Sequence, residues 1–263
     1  MKKAFDRAEY KPGFWALMAT QFQGAFSDNL FKYILIFLLL DASLGGADLE
    51  TSSKIAAMAG MLFAVPYILF PGIFGAIADR FSKQRVFVAT KCLEVLIMGL
   101  GGLAVWNGDT VFLWAVLFLM ATQSALFSPA KYGILPEGLP EDKLSWGNGM
   151  LQMGTMVAII AGVGVAGPLY EYLAPRENVY LASMILVALA FVGLTTSRYV
   201  FRPPAANPDL KIPFNPMSGM GASFKVFAAD RWLWLSVLAY VYFWFAGAML
   251  QANLFPFGSV ILG

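Results

Sequence analysis

Asp28 stands near the middle of an apolar run from Phe14 to Leu40, with Gln21 seven residues before it and Lys32 four after. An ionised side chain at the centre of a membrane helix costs about 2.5 to 3.5 kcal/mol, so a carboxylate there argues for a polar task. Helical spacings of four and seven put Gln21, Asp28 and Lys32 on one stripe, able to face one cavity or one partner helix. The alternative is that Asp28 and Lys32 pair with each other across a turn, or with neighbouring helices, simply to stay buried.

Three further groups bear chemistry. Lys91 and Glu94 lie three apart on one helix face, about 8 to 12 Å from the nearer helix end at 1.5 Å per residue. We read them as a local ion pair, with Lys91 snorkelling to the interface, rather than as a substrate contact. Asn148 and Gln152, four apart, either line a cavity or bond a neighbouring helix. Lys131 lies among Pro129, Pro136 and Pro140 and acidic residues, and reads as a solvated loop base; the other reading is contact with a lipid phosphate.

Composition fixes the elements that must hold these groups. The chain of 263 residues is 59% hydrophobic and 13% charged, where soluble domains carry about a quarter charged residues. A polytopic, all-α integral membrane protein follows. There is no histidine, which excludes Ser-His-Asp triads and imidazole metal sites, and the one cysteine permits neither an intramolecular disulfide nor a Cys-rich centre. We expect no catalytic residue, metal site, cofactor or nucleic-acid partner in these residues.

A span needs near 20 apolar residues, and runs of about that length fall at 14–40, 55–78, 86–106, 111–127, 146–170, 179–197 and 232–255. Such long, uniformly apolar runs suit helices and not the alternating strands of a barrel. Placing the N-terminus in the cytoplasm puts 14 of the 18 Lys/Arg on that side, Lys2, Lys3, Arg7 and Lys11 among them. The opposite loops then hold Lys54 and Arg176 against Asp41, Asp48, Glu50, Asp109, Glu171 and Glu177. The positive-inside rule fixes that orientation. Trp15, Trp106, Trp114, Trp146, Tyr172 and Tyr199 near span ends read as interfacial anchors or as core residues. Pro203, Pro204, Pro208, Pro213 and Pro216 mark a connector that cannot continue a helix. The expected division is therefore a six-helix half over 1–200, a cytoplasmic linker over 201–230 and the first helix of a further unit over 231–263. Because the chain stops just beyond the seventh run, we expect it to be part of a longer protein.

Small residues recur every four positions at Ala56, Gly60 and Ala64, and again at Ala158, Gly162 and Ala166, which predicts close helix packing along both stripes. Pro66 and Pro71 should kink the second span.

Five segments carry a family resemblance. Gly75-Ala-Ile-Ala-Asp79-Arg80-Phe-Ser-Lys83-Gln-Arg85 resembles the cytoplasmic signature of the major facilitator superfamily, with Ser82 and Gln84 in place of the usual second Gly and a base. That resemblance implies that Gly75 lets helices approach, while Asp79, Arg80, Lys83 and Arg85 form a charge network stabilising one conformation. Asp28-Asn29-Leu-Phe-Lys32, Lys91-Cys-Leu-Glu94, Ser128-Pro-Ala-Lys131-Tyr-Gly and Gly147-Asn148-Gly149 resemble the bacterial lysophospholipid transporter branch, including members fused to acyltransferase and ligase domains. Gln152 stands where that branch usually has a carboxylate.

The resemblance implies a fold of a six-helix N-terminal bundle plus the first helix of a C-terminal half, and alternating-access transport of lysophospholipid across the bacterial inner membrane. A lysophosphatidylethanolamine headgroup bears an ammonium and a phosphate, which Asp28 and Lys32 suit. Asn29, Gln21, Asn148 and Gln152 are the expected flanking contacts. Implied partners are membrane lipids, the missing C-terminal half and a fused or separate acyltransferase. Another carrier of the superfamily for efflux or nutrients, and the membrane domain of a lipid-remodelling enzyme, are the alternatives.

Overall fold

In the computed structural model, the described residues are 10–42, 49–213, 215 and 220–257. Lys2, Lys3, Arg7, Asp48 and Pro216, named above, lie outside them, as does the stretch 258–263. The described residues are helical with irregular connections and contain no strand. In order, the helices are α1 (Tyr10–Ala42), α2 (Leu49–Leu69), α3 (Pro71–Arg80), α4 (Lys83–Asn107), α5 (Thr110–Gly133), α6 (Leu135–Gly138), α7 (Leu144–Leu173), α8 (Tyr180–Ser197), α9 (Met220–Ala229) and α10 (Arg231–Phe257).

Local chemistry explains the ends. Asp109 caps α5 by accepting from the Val111 and Phe112 amides at 2.9 and 3.1 Å, and Asp230 does the same for Trp232 and Leu233 ahead of α10. Gly108, at φ 66°, closes α4 in the left-handed conformation. The second expected span breaks as its prolines require: Pro71 opens α3, and the two segments meet at a bend of 56°.

The α4, α5 and α8 helices, and α7 with the short turn leading into it, are long and apolar enough to cross a membrane, and the bent α2–α3 pair makes a fifth span if taken as one. The α1 and α10 helices have the length, at 33 and 27 residues, without joining that set. For α1 the sequence supplies the reason: Gln21, Gln23, Ser27, Asp28, Asn29 and Lys32 dilute its apolar content.

One expectation about a connector needs correction. The proline-bearing stretch around Lys131, read as a loop, is helical through Gly133, with Ala130 and Ile134 fully buried. Pro129 sits inside α5 without ending it, as prolines in membrane helices can where neighbours satisfy the freed carbonyl. Lys131 is accordingly a buried helical residue, 8% exposed, and not a solvated loop base. Within 201–230, the expected linker, the described residues are irregular at first and then form α9.

Helix α1 runs between α7 and α8 and also touches α2 and α5, while α4 packs between α5 and α8. The two small-residue stripes part company. Ala158, Gly162 and Ala166 are buried, and a Cβ on Gly162 would lie 2.6 Å from the Phe26 carbonyl oxygen, so α1 and α7 meet backbone to backbone there. The Ala56, Gly60 and Ala64 stripe does not pack as expected: Gly60 and Ala64 are exposed, and nothing lies within 4 Å of a Cβ on Gly60. The face of α2 that packs is the one carrying Ala59, fully buried. Trp15, Trp106, Trp146, Tyr172 and Tyr199 are exposed near helix ends, and Trp114 is half-buried against the core.

Candidate functional site

Two apolar clusters fill the bundle. One gathers Leu30, Phe31, Met98, Met120 and Leu186; the other gathers Phe14, Leu17, Phe87, Phe127 and Leu151. Between them, along each of three helices, lies a polar interval: Thr20 to Asp28 on α1, Thr90 to Glu94 on α4, Gln123 and Ser124 on α5. The intervals come level to form a belt across the bundle, because each helix passes from one apolar cluster to the other over a similar length.

Lys91 and Glu94 form an ion pair at 2.6 Å, each 1% exposed. Gln23 ties both: its Oε1 accepts from Lys91 Nζ at 2.8 Å and its Nε2 donates to Glu94 Oε1 at 2.7 Å. The expected pairing is present, but Lys91 does not snorkel. Helix α1 covers its amine through Gln23, and α8 closes the other side at Gly193, where a Cβ would collide with Gln23 Oε1. Neither Gln23 nor Gly193 was picked out from the sequence; both lie in apolar runs whose partners are set by packing between distant helices.

Asp28 takes a different partner. Ser124 Oγ donates to Asp28 Oδ2 at 2.6 Å and lies 3.2 Å from Gln123 Oε1, while Gln123 Nε2 donates to the Thr90 carbonyl at 3.1 Å. Asp28 Oδ1 is buried with no hydrogen-bond partner among the described residues. Asp28 and Lys32 form no ion pair with each other. The Lys32 amine lies 5.2 Å from the Tyr33 ring centre and 5.5 Å from that of Phe63. Lys32 and Lys131 both lie within electrostatic reach of Asp28, and the Lys131 amine stands 4.5 Å from the ring centre of Tyr132.

The remaining expected contacts do not converge there. Gln21 is buried and donates to Thr155 on α7 at 2.9 Å, so the stripe Gln21–Asp28–Lys32 fans out to different helices. Asn29 Nδ2 donates to the Ala25 carbonyl at 2.8 Å, one turn back on its own helix. Asn148 is exposed and bonds the Leu144 carbonyl at 3.0 Å, and Gln152 is half-buried.

At the bundle end carrying the α3–α4 connection, Lys83 is buried, pairs with Glu137 and lies 3.9 Å from Asp79. Arg80 and Arg85 are exposed, and nothing lies within 4 Å of a Cβ on Gly75, so among the described residues no helix approaches closely there.

The profile of the Major Facilitator Superfamily matches residues 17–263. The chain belongs to that superfamily. Among curated superfamily relatives, it is 31% identical to the lysophospholipid transporter LplT of Klebsiella pneumoniae (strain 342) over 97% of this chain and 60% of that protein. The LplT of Cronobacter sakazakii is 30% identical over the same shares. The chain thus spans about three fifths of the length of these relatives. Solved structures show the same fold: a peptide transporter POT (E310Q mutant) in complex with sulfate superposes with a TM-score of 0.59 at 20% identity, over 95% of this chain and 46% of that one. A POT family transporter in complex with 5-aminolevulinic acid gives 0.57 at 19% identity, over 88% and 47%. The all-helical, multi-pass membrane architecture of the superfamily is therefore that of this chain.

Proposed function

We propose that this chain is the N-terminal part of a carrier that moves lysophospholipid across the bacterial inner membrane by alternating access, with its N-terminus in the cytoplasm. Residues 1–200 form one half, 201–230 connect it, and 231–263 begin the other. The kinship to LplT proteins supports the substrate class. The observation that carries the site is Asp28 Oδ1, a buried carboxylate oxygen with no partner among the described residues. Leaving such a group unpaired costs about 1 to 3 kcal/mol, more when charged, and a substrate ammonium would remove that cost. Lys32 and Lys131, amines within reach of the same carboxylate, supply cations for the headgroup phosphate.

Transporters of this kind bind substrate between two helical halves and rock them about it. The residues here provide one wall. Transport then requires the full-length protein, and the isolated 263 residues will not support it in liposomes. An acyltransferase, fused or separate, is the partner suited to consume the imported lysolipid. Replacing Asp28 by Asn in the full-length protein and measuring lysophosphatidylethanolamine uptake into spheroplasts tests the reading. Uptake is expected to fall at least tenfold, about 1.4 kcal/mol or more of lost interaction. Unchanged uptake at normal expression overturns it.

A further inference from the structure

A second charged site lies away from the belt, at the bundle end where α3 turns into α4. The segment that follows α8 has no regular structure, yet it is fastened across that turn. Gln84 Nε2 donates to the Arg198 and Val200 carbonyls at 2.6 and 3.1 Å, and Ser82 Oγ donates to the Pro203 carbonyl at 2.8 Å. The Asn207 amide donates to the Asp79 carbonyl at 2.9 Å. Val200 is buried, and the half-buried Phe201 ring lies where a Cβ on Gly138 or Gly13 would strike it. The strap is thereby held in one register.

Fastening the strap brings Arg202 to the same groove as Arg80 and Arg85, a hollow of about 470 Å³ whose other walls include Phe81, Ser82 and Pro208. None of the three arginines forms an ion pair among the described residues. The Arg80 guanidinium lies 5.7 Å from the ring centre of Phe81. The neighbouring acid, Asp79, lies 3.9 Å from Lys83. Three like charges lining one hollow repel one another unless an anion lies between them. A guanidinium presents two parallel donors that match a phosphate, and basic pockets of this kind between membrane helices recognise anionic lipid headgroups. Phe81, 41% exposed, offers an apolar wall beside the charges for the glycerol end of a lipid.

We infer that this groove binds a phosphate group, that of an anionic diacyl phospholipid, held by Arg80, Arg85 and Arg202 and not transported. The reading stands apart from the assignment of the transported substrate, because it uses none of the belt residues. Arg202 lies outside the α3–α4 signature and is the residue that separates a lipid site from a charge network confined to that signature.

The test is native mass spectrometry of the full-length protein with phosphatidylglycerol and phosphatidylcholine in equal amounts, beside Arg202→Gln and Arg202→Lys. Phosphatidylglycerol is expected to be retained selectively, about tenfold less in Arg202→Gln, and to an intermediate degree in Arg202→Lys, which keeps the charge but loses the paired donors. Millimolar inorganic phosphate forms the second arm. If it leaves the lipid in place, the headgroup is the source of the phosphate; if it displaces the lipid, the groove serves a soluble anion and the lipid assignment fails. Equal retention of both lipids, or wild-type retention by Arg202→Gln, overturns the site.

Discussion

Ser124 of α5 donates a 2.6 Å hydrogen bond to Asp28 of α1, and this one bond holds the carboxyl so that its other oxygen is left buried and unpartnered among the described residues. A hydrogen bond to a charged group is worth about 1.5 to 3 kcal/mol net. Removing the hydroxyl with Ser124→Ala is expected to raise the apparent KM for lysophosphatidylethanolamine uptake by about tenfold in the full-length protein. Ser124→Thr, which keeps the hydroxyl, should restore most of it. Equal uptake kinetics for Ser124→Ala and wild type would count against Asp28 as the headgroup partner.

The Lys91–Glu94 pair makes a prediction about stability instead of uptake. Removing one member of a fully buried ion pair leaves an uncompensated charge and costs about 3 to 5 kcal/mol. Lys91→Met and Glu94→Gln should each lower the thermal stability of the purified protein strongly. The double variant is expected to recover a large share of the loss, because neither charge then remains buried alone. Additive losses in the double variant would show that the two side chains act separately.

The belt was partly legible in the sequence. Asp28 and the Lys91–Glu94 spacing are visible because charges are rare in apolar runs. What spacing along one helix cannot supply is the partner across the bundle. Gln21 and Asp28 share a stripe, yet one bonds Thr155 of α7 and the other Ser124 of α5, since α1 sits between several helices at once. Lys131 was misplaced for a related reason: the prolines around it suggest a loop, but Pro129 is carried within α5 and the helix continues. The two small-residue stripes are alike in sequence, and only the arrangement of the helices distinguishes the buried one from the exposed one.

That difference is testable. Glycine inside a helix costs about 0.5 to 1 kcal/mol relative to alanine, so Gly60→Ala, with open space around the new methyl, should leave stability unchanged or slightly raised. Gly162→Ala places its methyl against the Phe26 carbonyl and forces α1 and α7 apart, at an expected cost of about 1 to 3 kcal/mol. Thermal unfolding of the two variants side by side reads the contrast. A Gly162→Ala protein as stable as Gly60→Ala would mean that the close contact between these helices is dispensable.

Lys131 gives the sharpest separation between a loop base and a site base. Its side chain is buried beside the Tyr132 ring and within electrostatic reach of Asp28, whereas Lys143, in the turn before α7, is exposed. If the Lys131 amine meets the headgroup phosphate, Lys131→Gln should lower lysophosphatidylethanolamine uptake about tenfold, and Lys143→Gln should stay near wild type. A loss of fold alone would mimic the first result, so ligand-dependent stabilisation is the second measurement. Lysolipid is expected to raise the unfolding temperature of wild type and of Lys143→Gln but not that of Lys131→Gln, since only a ligand that binds the folded state shifts the transition. Equal stabilisation of all three proteins would remove Lys131 from the site.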